Sequence, residues 1–134
     1  MDTRTPTRRR FIMRSVKTKN TGPELIVRRL IRKMRLRHKL NPKDLPGKPD
    51  IVLIQIKKVI FVHGCFWHGH LCRWGQLPKS NLIYWKEKIK SNKTRDTSNR
   101  RRLRALGWKT IVVWQCQLKS ESTVFARLER FVRN

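Results

Sequence analysis

The amino-acid sequence predicts an α/β fold in which helices flank a small mixed central sheet. Hydrophobic patterns follow one another in the order helix, strands, helix, strand, helix, which is typical of this class. Hydrophobic residues make up 38% of the chain and include five Trp and five Phe, so a packed core is expected despite the high charge. A length of 134 residues suits one compact domain with one core.

The chain begins with a strongly basic segment, residues 1–20, that contains few core-forming residues. This composition is typical of an arm that folds on DNA. A helix start is predicted at Thr21, whose hydroxyl suits an N-cap, and Glu24 lies three residues later, where it completes a capping box. We therefore expect a basic N-terminal arm at residues 1–20 and a single domain at residues 21–134.

The first predicted helix continues over residues 25–34, because apolar residues recur there at helical spacing and Lys and Arg fill the opposite face. A loop with three prolines and a glycine follows at residues 41–50. Proline disfavours a helical conformation in the residue before it. Lys48 is therefore expected to be extended and to deliver Asp50 to the start of a strand.

Two nearly continuous apolar runs, residues 51–56 and 59–62, predict a buried hairpin. Its register stays open, since no Asn-Gly or Gly-Gly turn separates the runs. Further along, the patterns predict a helix at about 81–106 that ends at Gly107, a strand at 108–114 and a helix at 122–132.

The charge of the chain predicts an anionic partner. Lys and Arg number 34 against 8 Asp and Glu, which gives +26 at pH 7. The aromatic residues and strand-like segments favour nucleic acid over a membrane surface, since a protein lying on a membrane would show a long helix with separate basic and apolar faces. No apolar run approaches a membrane span of roughly 20 residues, and no signal segment follows the basic start, so we expect a cytoplasmic location.

Three histidines and two cysteines lie within residues 63–72, at the exit of a predicted strand. Tetrahedral zinc takes four thiolate or imidazole ligands, and this loop offers three that can wrap one ion. A further cysteine beyond the third strand supplies the fourth. The expected structural zinc ligands are Cys65, His70, Cys72 and Cys116.

Other interpretations of this cluster stay open on sequence grounds. The cysteines can be small buried hydrophobic residues. An open catalytic zinc site formed by His63, His68 and His70 would leave the nearby cysteines without a role. A cysteine hydrolase built on Cys65 is a further alternative, although zinc ligation explains the thiol better.

Asp50 is the best candidate for a catalytic Mg²⁺ ligand among the eight carboxylates of the chain. It opens the first hairpin strand and His63 closes the second, so antiparallel pairing brings both to the same end of the sheet. A carboxylate and imidazoles that converge can hold a metal ion and activate water. Alternatively, Asp50 satisfies nearby loop amides, and Glu24 caps its own helix.

Five segments between about Arg9 and Arg133 form a specific combination: Met13-Arg14-Ser15-Val16, Leu45-Pro46-Gly47-Lys48-Pro49-Asp50-Ile51-Val52, Val59-Ile60-Phe61-Val62-His63-Gly64-Cys65-Phe66-Trp67-His68, Trp85-Lys86-Glu87-Lys88-Ile89 and Leu106-Gly107-Trp108. With these segments the sequence resembles the very-short-patch mismatch repair endonucleases, which are nicking enzymes related to type II restriction endonucleases.

The resemblance implies a restriction-endonuclease-like core in which Phe61-Val62-His63 replaces the usual second acidic-x-Lys element. It implies that Asp50 and the backbone carbonyl of Val62 bind catalytic Mg²⁺, expected as two ions. A threonine is familiar where Val62 stands. Because the implied ligand is a backbone oxygen, the valine is expected to be tolerated.

The resemblance also assigns roles to the remaining polar residues. His68 is implied to be the general base, while His63 and Glu24 are implied to be supporting groups that hold metal-bound waters. The likeness assigns a structural zinc to the same four ligands that the spacing argument selects.

The implied substrate is duplex DNA with thymine opposite guanine, cut on the 5′ side of the thymine, the product of 5-methylcytosine deamination. Aromatic wedges suit such a site, since unstacking beside a wobble pair costs less than beside a normal pair. The DNA-contacting residues implied are Phe66 and Trp67 as the wedge, Trp85 from the major groove, Met13 from the minor groove, and Lys88 and Asn92 at the mismatch edges. Core packing for Trp85 and phosphate contact for Lys88 are the plainer alternatives.

These inferences predict a monomeric bacterial enzyme that associates with the nucleoid when bound to DNA and with other mismatch repair proteins as further partners. The alternative function is a non-catalytic, zinc-stabilised nucleic-acid-binding protein. The charge of +26 suits that alternative equally well, but it leaves Asp50 unexplained.

Overall fold

A computed structural model describes residues 22–72 and 75–134 of the chain. The predicted basic arm, with Met13, and the predicted N-cap Thr21 lie outside the described residues. The helices are α1 (Gly22–Lys33), α2 (Leu82–Ala105) and α3 (Glu121–Arg133), and the strands are β1 (Lys39–Leu40), β2 (Ile51–Leu53), β3 (Lys58–His63) and β4 (Lys109–Trp114).

The strands of the described residues form one mixed sheet in the order β1-β2-β3-β4. β1 with β2 and β2 with β3 pair antiparallel, whereas β3 and β4 pair parallel across the crossover helix α2. The predicted small mixed sheet with flanking helices is therefore confirmed. β1 was not predicted, because two exposed residues carry no period that a pattern can reveal.

Helices cover both faces of the sheet. Successive residues of a strand point to opposite faces. On one face, Ile51 and Ile60 pack with residues of α1 and α3, and on the other face Val52 and Val59 pack with Leu103 of α2. The hairpin strands are consequently apolar on both sides, which explains why their sequence shows continuous apolar runs.

The first predicted hairpin strand is shorter than its apolar run. Ile54–Ile56 forms a 3-10 turn, and Lys57 follows at φ +52°. Because Leu53 pairs with Lys58, the four residues between them must reverse the chain. The side chains of Ile54 and Ile56 are exposed, so their hydrophobicity gave no sign of where the strand stops.

Helix α2 ends where the sequence predicts. Gly107 has φ +90°, and the amide of Trp108 donates a hydrogen bond to the carbonyl of Leu103 at 3.0 Å. This cap uses Trp108, so β4 begins one residue later than predicted. Within residues 22–72 and 75–134, none of the helices combines the length and the apolar character needed to cross a bilayer.

The expectation that Lys48 is extended is wrong. Lys48 has φ +46° and follows Gly47 at φ +77°, in a turn closed by a 3.1 Å hydrogen bond from the Lys48 amide to the Leu45 carbonyl. The central residues of this turn are Pro46 and Gly47, and the turn requires a positive φ only at Gly47. Pro49 disfavours the right-handed helical conformation in Lys48, and the positive φ of Lys48 avoids that conformation without being extended. Lys48 therefore lies in a strained backbone conformation two residues before Asp50.

Helix α2 packs directly on this turn. A Cβ atom on Gly47 would lie 2.9 Å from Cβ of Asn99, closer than side chains approach one another. Glycine is therefore required at position 47 both for its backbone conformation and for the close approach of the helix.

We predict that Gly47→Ala lowers the free energy of unfolding by about 1–3 kcal/mol, because the methyl group clashes with Asn99 and the left-handed backbone disfavours alanine. Urea denaturation followed by circular dichroism measures the change. Gly22→Ala is the matched control, since nothing lies within 4 Å of a Cβ at that position. Equal stability of Gly47→Ala and Gly22→Ala would contradict the packing argument.

Candidate active site and metal centre

A cleft of about 760 Å³ opens where the turn before β2, the end of β3, the following loop and α2 meet. Every candidate catalytic residue predicted from the sequence lines this cleft, and so do four of the candidate DNA-contacting residues. These residues are Glu24, Asp50, Val62, His63, His68, Phe66, Trp67, Lys88 and Asn92.

The hairpin places Asp50 in the cleft. In the β2–β3 register Ile51 pairs with Ile60, so Asp50 stands beside the end of β3. Oδ2 of Asp50 accepts a 2.6 Å hydrogen bond from the backbone amide of Val62. The predicted convergence of Asp50 and His63 at one end of the sheet is therefore confirmed.

Glu24 is 3% exposed and reaches the same place from α1. It forms a 3.1 Å ion pair with Arg28 and a hydrogen bond with the side chain of Asp50. The proximity of Glu24 favours a proton on Asp50. Glu24 therefore contacts Asp50 as well as Arg28 of its own helix.

The pKa of Asp50 is raised from 3.8 to about 8, chiefly by burial. The Val62 amide opposes this change, whereas Glu24 adds to it through its hydrogen bond and its charge. A divalent cation can replace the proton that burial holds on Asp50. The donor set around Asp50 therefore fits a hard metal ion.

Two imidazole rings stack at the end of β3. The rings of His63 and His68 lie parallel within 4°, with 3.8 Å between their centroids. Burial, and secondarily the neighbouring His68, lower the pKa of His63 from 6.5 to about 3, so His63 is neutral at physiological pH. Nδ1 of His63 is buried and makes no hydrogen bond within the described residues.

Asp96 orients His68 and was not among the residues predicted from the sequence. Its Oδ2 lies 2.5 Å from Nδ1 of His68. A carboxylate accepts hydrogen bonds, so Nδ1 of His68 carries the proton that it donates to Asp96. Nε2 is then the nitrogen of the ring that can accept a proton. The sequence offers one indication that Asp96 belongs to the site. Asp96 lies four residues after Asn92 on α2, so both residues lie on one face of the helix.

The four predicted zinc ligands converge beyond the histidine stack. Their ligand atoms all lie within 4.8 Å of one another, and none of the three cysteines forms a disulfide. The amide of Cys116 donates to Sγ of Cys65 at 3.4 Å, and Sγ of Cys116 lies 3.5 Å from Nδ1 of His70. This geometry suits a single bound metal ion.

Burial raises the pKa of the Cys65 thiol to about 12 in the metal-free protein. Thiolates at such a site are stabilised by a bound cation, so the donor set fits a metal better than three inert buried thiols. The alternative site of His63, His68 and His70 does not match the geometry. The ring of Trp114 stacks on His70 at 4.2 Å and meets His63 edge-on at 5.2 Å, so it lies between the two groups.

Three aromatic side chains form a cluster at the edge of the cleft. The ring centroids of Phe66, Trp67 and Trp85 lie 5.1 to 5.9 Å apart. All three are half-buried and none belongs to the two core clusters, so core packing does not explain Trp85. Nδ2 of Asn92 donates to the carbonyl of Trp67 at 2.9 Å and ties this cluster to α2.

Comparisons with known proteins agree with this site. Residues 1–74 match the family model of the DNA mismatch endonuclease Vsr. The chain is 50% identical to the type II nicking enzyme V.XorIIP of Xanthomonas oryzae pv. oryzae, over 98% of this chain and 96% of that protein. It is 46% identical to V.NmeAIP of Neisseria meningitidis, over 96% and 92%. It is 35% identical to the DNA mismatch endonuclease Vsr of Escherichia coli, over 90% and 80%.

We predict that Asp50→Asn stabilises the metal-free protein increasingly as pH rises from about 4 to about 8. Below the ordinary pKa, Asp50 is protonated in the folded and unfolded states alike. Between the two values the unfolded chain has lost this proton and the folded protein keeps it, so rising pH favours unfolding of the wild type. Urea midpoints measured in chelator across this range give the difference between variant and wild type.

Asp44→Asn is the matched control for this measurement, because Asp44 lies exposed in the same loop. Its stability relative to the wild type should not change over the same pH range. An Asp50→Asn difference that stays constant with pH would show that burial does not hold the proton on Asp50.

Proposed function

Because the chain belongs to the family of the DNA mismatch endonuclease Vsr, we propose that it nicks duplex DNA on the 5′ side of the thymine in a T:G mismatch. The protein is a DNA endonuclease, a hydrolase of phosphodiester bonds. The observation that carries the finer proposal is the cleft in which Asp50, His63 and His68 converge beside an aromatic cluster. Such mismatches arise from deaminated 5-methylcytosine, so the nick would begin very short patch repair.

Asp50 and the carbonyl oxygen of Val62 are the proposed ligands of catalytic Mg²⁺, with two ions expected. When bound, Mg²⁺ would neutralise negative charge on the phosphodiester and lower the pKa of bound water. The raised pKa of Asp50 supports this assignment, because a cation can take the place of the proton that Asp50 keeps. Glu24 and His63 are the proposed supporting groups around the metal-bound waters.

His68 is the proposed general base. Nε2 takes a proton from the attacking water as the new oxygen–phosphorus bond forms, and Asp96 stabilises the positive ring that results. His63 stays neutral and packs flat on His68, so it fixes the plane of the base without competing for the proton.

The aromatic cluster is the proposed wedge that recognises the mismatch. Phe66, Trp67 and Trp85 present half-buried rings at the edge of the cleft, where insertion beside a weakly stacked wobble pair costs least. Lys88 and Asn92 are proposed to contact the mismatch edges, and Asn92 keeps its side-chain oxygen and one N–H for that contact. Met13 is proposed to approach from the minor groove.

The remaining architecture is proposed by the same reasoning. Residues 1–20 are the proposed DNA-binding arm, and residues 21–134 the proposed single endonuclease domain with a restriction-endonuclease-like core. The protein is proposed to act as a monomer, with structural zinc bound by the cluster of Cys65, His70, Cys72 and Cys116.

We predict that Asp50→Asn slows nicking of a T:G duplex in Mg²⁺ by at least about 10²-fold, because the metal loses its carboxylate ligand while the DNA-binding surface stays intact. Single-turnover cleavage gives the rate, and fluorescence anisotropy gives the DNA affinity, which should be retained. Asp44→Asn should behave as the wild type. Cleavage that survives Asp50→Asn would refute the metal assignment and favour a non-catalytic nucleic-acid-binding protein.

The specificity is tested in the same assay with matched duplexes. Three duplexes carry T:G, T:A or C:G at one position and are otherwise identical. The T:G duplex should be nicked, and the T:A and C:G duplexes should stay intact. Chelation of Mg²⁺ should abolish nicking. Equal cleavage of all three duplexes would contradict the mismatch specificity, and cleavage in chelator would contradict the metal dependence.

We predict one zinc ion per purified chain, measured by inductively coupled plasma mass spectrometry. Cys116→Ala should remove this zinc and lower the thermal unfolding midpoint, because an irregular loop loses the ion that holds it together. His38→Ala is the control, since His38 lies outside the cluster. Full zinc content in Cys116→Ala would contradict the proposed ligand set.

A further inference from the structure

One face of α2 lines the cleft with four polar side chains spaced four residues apart: Lys88, Asn92, Asp96 and Arg100. The first three have roles at the aromatic cluster or the general base. Arg100 lies one turn beyond Asp96, at the end of the stripe, and neither the sequence motifs nor the proposed function uses it.

The charge of Arg100 is unpaired within the part of the chain that the structure describes. Its side chain is half-buried, yet it makes no salt bridge or hydrogen bond there. The neighbouring carboxylates have other partners, since Asp96 binds His68 and Glu24 binds Arg28. A partly desolvated cation without a counter-charge is unfavourable, which indicates that an anion completes the site.

Arg100 lines the same cleft as the stacked rings of His63 and His68. Its guanidinium group therefore belongs to the pocket that contains the candidate reaction centre.

A second cation without a partner lines the same cleft. Lys48 lines the same cleft at the strained turn before Asp50, and its amino group has no partner among the described residues. The close approach of Gly47 to Asn99 brings this turn against α2 beside Arg100. Strained backbone conformations persist where the surrounding structure holds a functional group in place.

We propose that Arg100 and Lys48 clamp the phosphodiester that is cut, and that Arg100 is a catalytic residue that stabilises the negative charge developing on its non-bridging oxygens. The inference rests on the proposed nicking activity. In the step concerned, water oxygen bonds to phosphorus and its proton moves to Nε2 of His68. The bond from phosphorus to the leaving oxygen breaks, and its electron pair stays on that oxygen.

The chemistry of the two side chains suits this role. A phosphodiester is anionic, and Arg100 and Lys48 both line the cleft without a carboxylate partner among the described residues. The planar fork of arginine binds two phosphate oxygens at once, whereas lysine supplies a mobile point charge. A cation fixed on a helix and partly shielded from water stabilises transition-state charge more strongly than one in solvent.

The test is single-turnover nicking of a T:G duplex by Arg100→Gln, Arg100→Lys and Lys48→Gln. We expect Arg100→Gln to slow the chemical step by about 10²-fold at saturating enzyme, Arg100→Lys to recover part of the loss, and Lys48→Gln to slow it by about 10-fold. Arg101→Gln is the matched control, because Arg101 is exposed and does not line the cleft. It should weaken DNA binding at most and leave the saturated rate unchanged.

A second measurement separates direct contact from a structural role. A methylphosphonate at the cleavage position removes the charge of one non-bridging oxygen, and its binding is measured by anisotropy in chelator. The wild type should bind this duplex more weakly than the charged one, and Arg100→Gln should show a smaller loss, because only Lys48 of the two cations then remains to sense the charge. A purely structural role would give the wild type and the variant the same loss.

The inference is overturned if the wild type nicks the T:G duplex and Arg100→Gln nicks it at the same saturated rate. It is also overturned if the methylphosphonate weakens binding equally in both proteins. Failure of the proposed function gives a different result, because the wild type itself then leaves the T:G duplex intact. The inference about Arg100 and Lys48 would then fail as well.

Discussion

The hydrogen bond from the Val62 amide to the Asp50 carboxylate joins the fold to the candidate site. It exists because β2 and β3 pair antiparallel in one register, and that register is held by apolar residues on both faces of a sheet covered by helices. A slip of one residue would turn each apolar side chain to the opposite face and move Asp50 away from the end of β3. The energy that positions the candidate catalytic carboxylate therefore comes from the core rather than from the site itself.

Helix α2 supplies the second constraint. It is polar along most of its length and buries only Ile89 and Leu103, and close contacts at two glycines add to this packing. Gly47 brings the turn of Lys48 against Asn99, and Gly69, at φ +63°, lets the aromatic loop approach Ile89. Both contacts leave no room for a side chain. The helix consequently places one stripe of polar residues beside the aromatic cluster, the proposed general base and the proposed phosphate clamp.

Two sets of donor atoms lie near the loop between β3 and α2, and the protein keeps them apart. Soft thiol and imidazole donors gather on one side of Trp114, and the stacked histidines with hard carboxylate donors lie on the other. Backbone hydrogen bonds within the loop, such as the one from the His70 amide to the Cys65 carbonyl, already shape it. A bound metal at Cys65 and its neighbours would further fix the position of Phe66, Trp67 and His68. Fold stability and the geometry of the reaction centre would then depend on the same ion.

The sequence predicted those parts of the site that are unusual in composition or that lie at the end of a strand. Asp50 and His63 were recognisable because antiparallel pairing relates their positions, and the cysteines and His70 because their residue types cluster. Residues on long polar helices gave no such signal. Asp96 looks like any charged residue until its partner His68 is placed, and Arg100 is one of 34 Lys and Arg. In so basic a chain, only the fold separates a cation that faces solvent from one that faces the proposed reacting phosphate. Arg100 differs from the solvent-facing cations because it is partly buried without a counter-charge.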